Sequence, residues 1–166
     1  MVSPMVERAI NEQINNELSS SYTYLAMSAY CESQNFHGCA RWLRLQSQEE
    51  YAHGMKLFDF LLARGGTVQL AAISEPVVQF KSIPQVFEQA LEQESEVSKR
   101  IDRLYELAFK EKAFAAMVEL QWFLTEQVEE ERTTRDIVAK LSLASDDPAL
   151  LLALDRELGG RATGEP

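Results

Sequence analysis

The sequence predicts an all-α fold: a four-helix bundle with one long crossover loop and a short fifth helix at its C-terminal end. Three observations predict it. Apolar residues recur at alternating spacings of three and four along four long stretches, and strand-like alternation is nearly absent. The connections between those stretches run short, long and short. Helix punctuation, in the form of Ser-Pro, Ser-Ile-Pro and Gly-Gly, falls where the ends belong.

Ser3-Pro4 reads as an N-cap and first helical position. The helix it opens spans about 4–34, with a seam of Ile10, Ile14, Glu17, Ser21, Tyr24, Ser28 and Cys31. Asn35 to Gly38 reads as a short turn, with His37 solvating it. The second helix, about 39–64, has the seam Leu43, Gln46, Glu50, His53, Leu57 and Phe60, and Gly65-Gly66 stops it. Residues 65–82 carry no clear period and include Pro76, which is long for a connection inside one domain. Extended, they reach roughly 55–60 Å. The helix they follow, of about 27 residues, is only roughly 40 Å long. The loop can therefore cross the whole bundle and make the second and third helices parallel.

The third helix, about 83–110, presents Phe87, Ala90, Glu94, Val97, Ile101, Leu104 and Ala108. The fourth, about 113–142, presents Ala116, Leu120, Phe123, Gln127, Glu130, Thr134, Ile137 and Leu141. Ser145-Asp146-Asp147-Pro148 opens a fifth helix over about 148–158, and Gly159-Gly160 closes it. From Ala149 to Leu154 that helix is apolar nearly all round. So short a helix cannot hide such a surface against a closed bundle, so burial among neighbouring copies, hence a homo-oligomer, is expected. Residues 161–166 read as a frayed tail.

The 166 residues suffice for one domain with a sizeable core. A net charge of -10 argues against nucleic acid or an anionic membrane as partner and favours attraction of cations. No apolar run approaches the roughly 18 residues a membrane span requires. Met1 to Glu7 has neither the basic region nor the apolar core of a secretory signal. Cys31 and Cys39, in no CxxC or CxxH arrangement, fit a reducing compartment, so a cytoplasmic location is expected.

The four seams share one anomaly. Glu17, Glu50 with His53, Glu94, and Gln127 with Glu130 sit at mid-helix on otherwise apolar faces. A buried charge costs several kcal/mol unless something compensates it. Four such positions on four helices, brought to similar depth by packing, call for one shared partner, and a pair of metal ions supplies it. Glu50 and His53 are three apart and share a helical face, as do Gln127 and Glu130. The pattern resembles di-iron carboxylate sites, with Gln127 and Glu130 departing from the second Glu-x-x-His. One ion would take Glu17, Glu50 and His53. The other would take Glu50 as a bridge, Glu94 and Glu130, with Gln127 at its edge. Oxygen ligands with one imidazole suit iron, manganese or zinc. Fewer strong ligands on the second ion favour a site through which iron passes. Tyr24 lies two turns from Glu17 on the same seam, as ordinary core or as an electron or hydrogen-bond donor, and Trp122 is near in sequence but off the seam. Glu49, Glu126 and Glu129 flank the seam, either as a solvated acidic face or as a third cation site.

Glu49-Glu50-Tyr51-Ala52-His53 and Glu126-Gln127-Val128-Glu129-Glu130 resemble the ferroxidase signatures of the non-haem bacterial ferritins, within the ferritin-like di-iron family. The resemblance covers about 3–160. It implies a 24-subunit shell in which each bundle oxidises Fe(II) with O2 or H2O2 and the ferric product is stored as a mineral. By the same resemblance Glu17, Glu50, His53, Glu94, Gln127 and Glu130 form a dinuclear iron site. Glu49, Glu126 and Glu129 join Glu130 in a third, and Tyr24 is the tyrosine beside the site. No haem is expected, since Tyr51 stands where haem-binding relatives carry the ligating Met and the fourth helix lacks Glu-x-x-His. Phe114, Met117 and Leu120 stand where many animal ferritins have acidic pore residues. Two other readings are a di-iron oxidase or peroxidase that retains its cofactor, and a non-catalytic helical bundle. The first predicts a monomer or dimer, the second no metal binding.

Overall fold

A computed structural model describes residues 2–144 and 147–162. Ser145 and Asp146 of the expected fifth-helix start, and residues 163–166 of the expected tail, lie outside the described residues. Among the described residues the chain forms α1 (Pro4–Ser33), α2 (His37–Ala63), α3 (Ile83–Lys110), α4 (Phe114–Leu143) and α5 (Pro148–Gly159), and no strand. No helix is long and apolar enough to cross a membrane among those residues.

Local chemistry sets most of the helix ends. Ser3 Oγ accepts from the Val6 amide and Ser82 Oγ from the Gln85 amide, each just before a Pro in the first turn. Asp147 accepts from the Ala149 and Leu150 amides to open α5. Gly65 takes φ 73°, and the Gly66 amide reaches back to the Leu61 carbonyl, closing α2. Asn35, at φ 63°, makes the tight turn out of α1.

The beginning of α2 differs from the sequence expectation. His37 and Gly38 are already helical, although Phe36 provides no side-chain cap. The cap comes from a distant helix: Asp155 Oδ1 on α5 accepts from the Cys39 amide at 2.8 Å. Gly38 permits that approach, because a Cβ there would lie 1.7 Å from the Asp155 carbonyl oxygen. His37 pairs with Glu32 at 2.9 Å on the surface.

The crossover is fastened rather than loose. Asn11 donates to the Thr67 carbonyl and accepts from the Gln69 amide, and Asn15 does the same with the Gln69 carbonyl and the Ala71 amide. These rungs climb α1 in register, and Tyr30 meets Phe80 near its far end with ring centroids 5.1 Å apart. The loop therefore returns the chain to the end where α2 began, and Trp42 of α2 packs on Phe87 of α3. Helices α2 and α3 run parallel.

The core splits into two apolar clusters. One gathers Tyr24, Met27, Leu43, Phe87 and Leu141 near the α1–α2 turn. The other gathers Ile10, Leu57, Ile101, Leu120 and Phe123 toward the opposite end. The polar seam residues lie between them. Leu120 is thus core, contrary to a pore-lining placement, whereas Phe114 is 69% exposed.

Two expectations for the C-terminal region change. The fifth helix hides part of its apolar surface on its own chain: Leu154 and Leu158 are buried in the first cluster, while Leu150 and Leu152 stay about half exposed. The segment beyond it does not fray at Arg161, whose side chain is buried against α2. Because α5 seats on a glycine, Gly38→Ala is expected to destabilise the protein by about 1–3 kcal/mol through overpacking. The thermal unfolding midpoint, compared with wild type at equal protein concentration, checks this; an unchanged midpoint contradicts the docking.

Candidate metal centre

The polar layer is almost fully enclosed. Glu17, Glu50 and Glu94 are wholly buried, and Glu130, Gln127 and His53 nearly so. They come from α1, α2, α3 and α4, each from the inward seam of its helix. Ligand atoms of Glu17, Glu50 and His53 lie within 4.8 Å of one another, and so do those of His53, Glu126 and Glu130. His53 belongs to both groups.

Hydrogen bonds satisfy only part of this layer. Gln13 Nε2 donates to Glu17 Oε1 at 2.7 Å. The Tyr24 hydroxyl donates to Glu94 Oε1 in a short contact, and Gln127 Nε2 donates to Glu94 Oε2 at 3.1 Å. Gln46 Nε2 donates to Glu130 Oε2 at 2.9 Å. Glu17 Oε2 and both oxygens of Glu50 meet no hydrogen-bond donor among the described residues. Native interiors rarely tolerate such orphans without an ion or water to meet them. Three orphaned carboxylate oxygens beside an imidazole, on rigid helices and between two apolar clusters, fit a hard or borderline divalent cation.

Electrostatics supports the same reading. Burial pushes the Glu17 carboxyl up to about 7, against the pull of the Gln13 hydrogen bond. Burial, joined by the Glu94 charge, raises Glu130 to about 8. Glu50 is pushed well up by burial and by the charges of Glu94, Glu17 and Glu130. Glu94 rises by burial although Tyr24 and Gln127 hold it back. Burial and the Lys56 charge lower His53 to about 4, so it is a neutral, metal-competent imidazole at pH 7. The Tyr24 phenol is raised by burial and by the nearby carboxylates, which keeps its proton on the bond to Glu94.

The outer carboxylates behave differently. Glu126 comes within reach of His53 and Glu130. Glu129 is exposed and faces Arg132 at 3.9 Å. Glu49 is taken by Arg161, whose Nη2 lies 2.6 Å from Glu49 Oε2. The same guanidinium donates from Nη1 to Gln46 Oε1 at 2.5 Å and covers the Trp42 ring at 4.9 Å from its centroid.

The ferritin-like domain family matches residues 7–144. The bacterial non-heme ferritin of Staphylococcus aureus (strain USA300) is 36% identical over 165 residues, 99% of each chain. The chain belongs to the ferritin-like family. The Staphylococcus haemolyticus (strain JCSC1435) bacterial non-heme ferritin is 37% identical over the same length, again 99% of each chain. Among solved structures, the open pore ferritin of the hyperthermophilic archaeon Archaeoglobus fulgidus is 46% identical, with a TM-score of 0.96 over 98% of this chain and 100% of that one. A closed form of it, engineered by site-directed mutagenesis, matches equally well, over 99% of its own length.

Within this ferritin fold, sequence reasoning missed two contributors. Gln13 lies one turn before Glu17 and off the seam, yet it is the donor that fixes that carboxylate. Gln46 is buried beside Glu130, and the signal in the sequence is a polar residue on the apolar seam one turn before Glu50. Trp122, which the sequence placed near the site but off the seam, is 40% exposed and packs edge-on to His53 with centroids 5.2 Å apart.

Carboxyls raised on folding, such as Glu17 and Glu130, hold their protons more tightly folded than unfolded. Their stabilising contribution is complete below the ordinary value of 4.5 and is lost as pH rises through about 7 to 8. His53 acts in the opposite direction, contributing above its ordinary 6.5 and losing that contribution as pH falls through about 4. Within this buried layer, the raised carboxyls are the groups whose contribution is lost above pH 6.5. The unfolding midpoint of metal-free protein is therefore expected to fall between pH values of about 6.5 and 8.5, and Glu50→Gln to flatten that fall. Differential scanning calorimetry across the range checks it, and a midpoint that climbs with pH contradicts it.

Proposed function

We propose that this chain is an iron-storing ferritin that oxidises Fe(II) at the buried layer of Glu17, Glu50, His53, Glu94, Gln127 and Glu130. The orphaned oxygens of Glu50 and Glu17 beside His53 carry that reading. Fe(II) enters as substrate. One iron takes Glu17, Glu50 and His53. The second takes Glu50 as a bridge, Glu94 and Glu130, with Gln127 beside it. Two ferrous ions give one electron each to O2, which takes up two protons and leaves as H2O2, and two ferric ions remain. With H2O2 as oxidant the same two electrons cleave its O–O bond and, with two protons, yield two waters.

The protein's own residues prepare this step. Gln13, Tyr24 and Gln127 aim individual carboxylate oxygens, so fewer of them must reorganise when iron arrives. The protons held by the raised carboxyls leave as Fe(II) enters and are available to the reduced oxygen. Gln127 in place of a carboxylate weakens the hold on the second iron, which suits ferric product that moves on. Hydrolysis of that product to a ferric oxyhydroxide inside a 24-subunit shell completes storage. The half-exposed Leu150 and Leu152, with Phe114, Val118 and Val128, give the apolar surface for contacts between copies. Two buried free thiols agree with a cytoplasmic location.

Stopped-flow absorbance after anaerobic Fe(II) loading and oxygen addition tests the proposal. Rapid oxidation should saturate at about two irons per subunit and be followed by a soluble ferric core. His53→Ala should abolish the fast phase, and Tyr24→Phe should slow it roughly 10–100-fold, as loss of a partner that orients a ligand does. Binding of two irons with no growing core would mean a retained cofactor, and no iron-dependent signal would defeat the reading.

A further inference from the structure

Arg161 stands outside every element that the metal centre requires, yet it is built into its edge. Its side chain is 4% exposed, although it lies beyond the last helix of an acidic protein. Among the described residues the guanidinium is held by Glu49 Oε2, Gln46 Oε1 and the face of Trp42. Its backbone is fixed too, since Arg41 Nη1 donates to the carbonyls of Gly159 and Arg161 at 2.6 and 3.0 Å. A long side chain loses rotamer entropy when immobilised, so a position held from both ends marks a specific role.

The contacts are selective. Gln46 accepts from Arg161 with its oxygen, which leaves its amide nitrogen to face Glu130 at 2.9 Å. Without the guanidinium, that amide is free to turn its oxygen inward. Glu49 is turned to Arg161 and joins neither group of clustered ligand atoms, whereas the neighbouring Glu126 joins His53 and Glu130. A guanidinium is permanently charged and matches a carboxylate in shape, so it can hold the place of a cation without being titrated away.

We propose that Arg161 is a tethered cation occupying the outer acidic position at Glu49, so that the subunit carries two metal sites and not a third. This inference rests on the two-iron reading above. Arg161 is then a positioning residue: it keeps Glu49 off the metal and fixes Gln46 as a donor to Glu130.

Anaerobic Zn(II) titration of the assembled apo protein, read by calorimetry and by metal analysis after gel filtration, tests the inference. Wild type should saturate at about two ions per subunit and Arg161→Gln at about three, with Arg161→Lys restoring about two because the cation returns. Adding Glu49→Gln to Arg161→Gln should remove the extra ion. A third ion in wild type, or no third ion in Arg161→Gln, overturns the inference while leaving the dinuclear reading intact. Failure of wild type to bind any ion overturns both. Should Arg161→Gln not assemble, anomalous diffraction from Zn(II)-soaked wild-type crystals decides the matter. Glu49 still paired with Arg161 and free of metal supports the inference, and an ion on Glu49 overturns it.

Discussion

The enclosure of several carboxylates in one layer, with too few donors to meet them, is the constraint on which the rest of the structure depends. Taking a carboxylate out of water costs several kcal/mol unless a proton, a donor or a cation compensates it. Here Gln13, Tyr24, Gln127 and Gln46 supply donors to Glu17, Glu94 and Glu130, while Glu50 receives none. Raised carboxyls hold protons that fill the remaining gap, and on the proposed function cations take their place. The two apolar clusters on either side carry the stability that such a layer forgoes.

The scaffold is arranged to keep that layer fixed. Parallel α2 and α3 require a connection the length of the bundle, and the Asn11 and Asn15 rungs hold it in extended register against α1. Helix α5 then closes the end near the α1–α2 turn by capping α2 through Asp155 and seating on Gly38. The same docking delivers Arg161 to the edge of the metal centre. The C-terminal segment therefore connects the half-exposed apolar face of α5 with the edge of the buried carboxylate layer.

What the sequence made legible follows from periodicity. A helical seam is a regular signal, so the bundle, its crossover and the mid-helix position of Glu17, Glu50, His53, Glu94 and Glu130 could all be read from spacing alone. Contacts that depend on where chain ends meet carry no such period. Asp155 capping Cys39 and Arg161 reaching Glu49 each join residues more than a hundred positions apart, and neither has a local motif. For that reason the turn before α2 looked longer than it is, and the residue after α5 looked frayed. Glu49, Glu126 and Glu129 read alike as acidic neighbours, yet they separate in space because one meets Arg161, one meets His53, and one faces solvent.

The central claim is that protons and metal ions are interchangeable compensation for one buried carboxylate layer. Calorimetric titration of the apo protein with Zn(II) at pH 7, repeated in buffers of different ionisation enthalpy, measures that exchange directly. The account predicts net release of about one proton or more per subunit as the layer fills. Metal binding without proton release would mean that the carboxylates are already ionised in the empty protein, and would contradict it.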